Sequence, residues 1–156
     1  MPIPHRIFLL ILAISIGTLA RVNIAVSNER EAGSNAEARI VTPAQIEGVT
    51  NVDAEGLIEK VMNTPELVLI DSRITADRKE GYIEGSVSLP DIDTTCDSLE
   101  IIAPAREIPV MFYCNGIKCG RGAKAAKIAL GCEYTDVYLF SRGMEEWQEK
   151  QYPLVQ

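Results

Sequence analysis

The residues best able to do chemistry sit together in one stretch, Cys114-Asn115-Gly116-Ile117-Lys118-Cys119-Gly120-Arg121-Gly122. The stretch follows the apolar run Pro109–Tyr113 and leads directly into an alanine-rich segment. A strand that delivers a cysteine into a glycine-rich turn places the thiol beyond the strand's carboxyl end, where open α/β sheets bind ligands. The glycines allow backbone N–H groups to turn inward as an anion cradle. A helix that starts at once aims its positive end at the same space. Lys118 and Arg121 add positive charge. Each feature favours thiolate over thiol. Such settings draw a cysteine from its free pKa of about 8.5 toward or below neutrality. Cys114 is the reactive thiol on this reading.

Other chemistries are excluded by composition. The single histidine is His5, in a segment expected to be removed. The working domain then has no imidazole for a Ser-His-Asp triad, a Cys-His pair or a histidine zinc site. Cys96, Cys114, Cys119 and Cys132 form no Cys-x-x-Cys, so a four-cysteine zinc site is not expected, and three disulfide pairings are open to them. No metal or organic cofactor is implied. The net charge of −7, from 15 basic and 22 acidic residues, argues against nucleic acid as a partner.

Several elements must hold the loop in place. Glu66–Asp71 and Pro109–Tyr113 are short, continuous apolar runs, the pattern of strands buried on both faces. Ser86–Leu89 and Asp136–Phe140 read as two more strands, and Val41–Pro43 as a short extended start. Asn51–Met62 is helical by period, with Asn51 or Asp53 as its cap. Arg121–Leu130 is an alanine-rich helix that Gly131 can end, and Met144–Lys150 is a terminal helix. Alternating strands and helices predict an α/β fold: a mostly parallel central sheet of about five strands with helices on both faces. Trp147 reads as a core or interface aromatic. Asp71 and Arg73 read as a structural ion pair or turn anchor. Arg142, Asp91, Asp93, Glu145 and Glu146 read as solvated surface, and Arg121, Lys124 and Lys127 as the exposed face of a helix.

The chain's 156 residues suit one domain. Arg6 precedes an apolar run, Ile7–Ala20, with small residues after it, the order of a secretory signal. The expectation is a signal peptide over 1–27, cleaved after Ala20 or Ser27, then a flexible lead-in over 28–39 and the folded domain over 40–156. Loss of 1–27 removes Arg6 and Arg21 and no acid, leaving 13 bases against 22 acids, a charge of −9. Export is expected, with a bacterial periplasm as destination and membrane contact only through an uncleaved signal. Thiols there tend to oxidise.

Four elements in register resemble the rhodanese family of sulfurtransferases. They are the cysteine loop, Asp71-Ser72-Arg73 after a strand, Gly81-Tyr82-Ile83-Glu84-Gly85-Ser86 ahead of a strand and Pro90, and Gly143-Met144-Glu145-Glu146-Trp147 followed by Tyr152-Pro153. The resemblance spans roughly residues 40 to 154. It implies that Cys114 takes the outer sulfur of a donor such as thiosulfate as a persulfide and passes it to cyanide or a thiol. It implies a substrate-binding loop of Asn115, Gly116, Ile117, Lys118, Cys119, Gly120 and Arg121, whose amides hold the negative charge. The implied partners are a small anionic sulfur donor and a thiol acceptor, with a redox protein as a further one. Tyr82 and Glu84 stand where the family carries His and Pro, and Arg142 where it carries Gly. Cys119 stands where many members carry Ser or Thr. It could close a disulfide with Cys114 or resolve a persulfide there, which leaves a non-turnover thiol–disulfide or sulfur-carrier module as the alternative. Cys96 and Cys132 would remain as a structural pair. The phosphatase branch of the fold places Arg six positions after its cysteine, where this chain has Gly120, so the bidentate phosphoryl clamp is missing.

Overall fold

A computed structural model of the chain describes Thr42, Pro43 and residues 45–156. The expected signal, the lead-in and Val41 lie outside the described residues. Five strands are present among the described residues: β1 (Val49–Val52), β2 (Val68–Asp71), β3 (Val87–Ser88), β4 (Val110–Tyr113) and β5 (Val137–Phe140). The helices are α1 (Ala54–Asn63), α2 (Thr75–Lys79), α3 (Cys96–Ile102), α4 (Arg121–Gly131) and α5 (Gly143–Glu149). The sheet order is β1-β5-β4-β2-β3, and every pairing is parallel. All carboxyl ends therefore point to one edge.

Alternation of side chains sorts the core into two layers. Ile70, Val110, Phe112, Val137 and Leu139 face one way, against Leu99 of α3 and Ala123, Ala125, Ala126 and Ala129 of α4. Leu69, Met111, Tyr113, Tyr138 and Phe140 face the other way, against Leu57 of α1 and Met144 and Trp147 of α5. Helices thus cover both faces, and β4 and β5 are buried along their whole length. The α4 alanines favour helix, and they also let it lie close to the sheet. A Cβ on Gly122 would sit 3.3 Å from the Tyr113 carbonyl carbon. Trp147 is a core residue, as read, and its Nε1 donates to Pro153 O at 2.9 Å.

Some boundaries differ from the sequence reading. Asp53 is the α1 cap, its side chain accepting from Gly56 N at 2.8 Å, and the residues before it belong to β1, an edge strand. Gly131 remains helical, and Glu133, at φ 68°, takes the left-handed turn beyond α4. Cys96, the first residue of α3, is bridged to Cys132 at the end of α4 with Cα atoms 5.4 Å apart.

Candidate active site

Register sets Asp71, Tyr113 and Phe140 in a row at the carboxyl edge. Beneath this edge lies a polar network. The buried Asp71 carboxylate accepts from Arg73 Nη2 at 2.7 Å and Nε at 2.9 Å, from Arg78 Nη1 at 3.0 Å and from Tyr113 OH at 2.9 Å. Burial alone would raise the Asp71 carboxyl, but the hydrogen bonds and charge of Arg73 outweigh it and hold it below its ordinary value. Burial, with the Asp71 charge behind it, pushes the Tyr113 phenol up to about 12. Arg73 Nη2 also donates to Gly81 O at 2.8 Å, and Arg78 Nη2 to Ser86 O at 2.7 Å. The Asp71–Arg73 pair is the structural anchor expected, and it fastens the segment before β3 beneath the site.

Cys114 is the first residue past β4 and is 4% exposed. Its carbonyl accepts from Met144 N at 2.9 Å, and the Asn115 carbonyl accepts from Glu145 N at 2.8 Å. The first turn of α5 thus grips the start of the loop. Gly143 makes this approach possible: its φ is +51°, and a Cβ there would collide with the Cys114 carbonyl. The far side of the loop is held by Thr42. Its N–H donates to Ile117 O at 3.0 Å and its hydroxyl to Cys119 O at 2.7 Å. Cys114 and Cys119 form a disulfide with Cα atoms 6.2 Å apart. The Cys119 N–H donates to Gly116 O at 2.9 Å. The amides of Asn115, Gly116, Ile117, Lys118 and Gly120 donate to no acceptor among the described residues. Gly120 is the N-cap of α4 and gives it no side-chain cap, so the helix's positive end also stays unspent.

The charges are less one-sided than the sequence suggests. Arg121 is half-buried, 3.5 Å from Asp77 and 3.7 Å from Asp91, and its Nη1 lies 3.9 Å from Cys119 Sγ. Lys124 pairs with Asp91 at 2.9 Å. Asn115 Nδ2 donates to Asp77 at 2.8 Å. Lys118 is exposed and has no ion pair among the described residues. Two acids read as solvated are buried: Asp91, 5% exposed, and Glu146, which lies near Arg142 and Lys150. Arg142 is exposed, as expected, and pairs with Glu149 at 2.8 Å. Thr42, Asp77, Asp91 and Gly143 were missed as site residues. Asp91 had a usable signal, because it follows Pro90 just past the carboxyl end of β3. Among the described residues no group of His, Cys, Asp and Glu is arranged to hold a metal ion.

A family model described as the rhodanese-like domain matches residues 54–150. The chain belongs to the rhodanese-like family. No curated protein sequence matches it. Solved structures share the fold. A Bacillus halodurans protein, BH2092, aligns with TM-score 0.60 at 20% identity, over 68% of this chain and 76% of its own. The polysulfide-sulfur transferase homodimer of Wolinella succinogenes aligns with TM-score 0.58 at 19% identity, over 69% and 79%. A thiosulfate sulfurtransferase from Pseudomonas aeruginosa aligns with TM-score 0.58 at 18% identity, over 69% of this chain and 20% of its own. The rhodanese-like match begins at Ala54, so β1, which pairs with β5, and Thr42, which holds the loop, lie outside it.

Proposed function

We propose that this rhodanese-like protein is a sulfurtransferase with Cys114 as its nucleophile. The observation that carries the reading is Cys114 itself. It stands at the end of a central strand, under a loop with unspent amides, at the head of an uncapped helix. The Cys114 thiolate attacks the outer sulfur of a donor such as thiosulfate. The donor's S–S bond breaks, sulfite leaves with the bonding pair, and Cys114 holds a persulfide. Cyanide or a thiol then removes that sulfur. The unspent amides bind the persulfide's negative charge. Lys118 draws in the anionic donor, because the other loop cation, Arg121, is already shared with Asp77 and Asp91.

A second reading has the disulfide in its favour. On it the domain is a thiol–disulfide or sulfur-carrier module that turns over no thiosulfate. Export through residues 1–27 to an oxidising compartment, with a redox protein as partner, fits either reading. Sulfite released on adding thiosulfate to the reduced protein, with its intact mass before and after, decides between them. Sulfur transfer requires release of sulfite by the reduced protein, which is lost in Cys114→Ser. If the reduced protein forms no sulfite, the transferase reading fails and the dithiol module stands.

A further inference from the structure

The Cys114–Cys119 pair points to a use of the transferred sulfur that the family assignment does not supply. We infer that Cys119 resolves the Cys114 persulfide within the loop, so that the domain releases sulfide and acts as a thiol-driven reductase of sulfane sulfur. This rests on the sulfurtransferase reading above.

The geometry favours an internal second step over delivery to an outside acceptor. Both cysteines are fixed from outside the loop as well as within it. Cys114 and Asn115 are held by the Met144 and Glu145 amides, Ile117 and Cys119 by Thr42, and Cys119 again by Gly116. With those bonds in place the two sulfurs are already bonded to one another, so the loop need not rearrange for one to reach the other. Well-oriented partners of this kind reach effective concentrations of roughly 10⁵ M or more, which no diffusing thiol matches. Access points the same way. Cys114 is 4% exposed, which hinders a bulky acceptor, whereas Cys119 is half-buried beside it. Arg121 Nη1, 3.9 Å from Cys119 Sγ, stabilises negative charge on the attacking sulfur. Cys96 and Cys132 do not compete. Cys132 lies beyond the far end of α4, about 18 Å along the helix from Gly120 at 1.5 Å per residue.

The chemistry closes on itself. The Cys119 thiolate attacks Cys114 Sγ. The bond from that sulfur to the terminal persulfide sulfur breaks, and the terminal sulfur leaves with the electron pair as hydrosulfide, taking its proton from water. The two cysteines are oxidised to the disulfide and the sulfane sulfur is reduced to sulfide. A small-molecule or protein dithiol then reduces the disulfide and is itself oxidised. Over one cycle thiosulfate and a dithiol yield sulfite, sulfide and a disulfide.

The test is a single turnover. Fully reduced full-length protein, freed of reductant, receives one equivalent of thiosulfate, and sulfite, sulfide and the mass of the Cys114–Arg121 segment are measured. The expected wild-type result is equal sulfite and sulfide, no retained sulfur and a Cys114–Cys119 disulfide. Cys119→Ser is expected to form sulfite, release no sulfide and keep one sulfur on Cys114 that cyanide removes. Its sulfite burst shows that the variant is folded. Sulfur retained on wild-type Cys114 without sulfide, or equal sulfide from Cys119→Ser, overturns the inference and leaves the transferase standing. Absence of sulfite from both proteins overturns the inference and the sulfurtransferase reading together.

Discussion

Single side chains set the terms at the carboxyl edge of the sheet, and Asp71 is the clearest case. Its carboxylate is fully buried with Arg73, which is 3% exposed. Asp71→Asn leaves a buried guanidinium without its counter-charge and should cost about 3–5 kcal/mol, read as a lower urea midpoint. The pH dependence follows from the direction of its shift. The folded carboxyl is held below its ordinary 3.8, so the unfolded chain takes up a proton first. The contribution is full above that value and is lost as pH falls from it through the lower folded value. Stability measured down an acid series should drop there, and the drop should be smaller in Asp71→Asn. Gly143→Ala forces a Cβ against the Cys114 carbonyl at φ +51° and should cost at least about 1–3 kcal/mol, with reduced sulfur uptake by the same protein. Lys118→Ala should raise KM for thiosulfate by up to about five-fold, more than it lowers kcat, the scale of one exposed charge. Cys114 was legible in the sequence because strand, cysteine, glycines and helix are contiguous. Asp77 was not: an acid in isolation reads as solvated, and only the fold brings this one to Arg121.

Among the strands, those buried on both faces read most directly. Glu66–Asp71, Pro109–Tyr113 and Asp136–Phe140 contain β2, β4 and β5, whose apolar runs match the central positions of a parallel sheet. β1 escaped because Val49 is its only buried residue and its middle, Thr50-Asn51, is exposed. α2 has five residues and none buried, so it carries no period to detect. α3 is short and owes its start to a capping box between Thr95 and Ser98. It is also tied covalently to α4, and that tie is testable. Opening the Cys96–Cys132 bridge, which spans a sequence separation of 36, should cost roughly 3–4 kcal/mol of stability. Cys132→Ser should show that loss by denaturant titration of oxidised protein, and reductant should remove most of the difference.

At the scale of the molecule, the all-parallel sheet gathers every functional feature on one edge, but the family match covers only part of what supports it. Residues 42–53 lie outside the match, yet they supply the Thr42 clamp and cover the edge of β5 with β1. A chain begun at Ala54 should melt lower and scatter more light on heating than one begun at Val41, since it bares the edge of a fully buried strand. The Cys114–Cys119 bridge has a practical consequence of its own. The same polypeptide will come from the bench as two substances. On the proposed function, material handled in air carries Cys114 masked, and it should resist alkylation there and give a blank in a thiosulfate assay. Material kept under dithiol should alkylate there and turn over. A blank then reports the history of the sample, and free thiols must be counted before a preparation is called inactive.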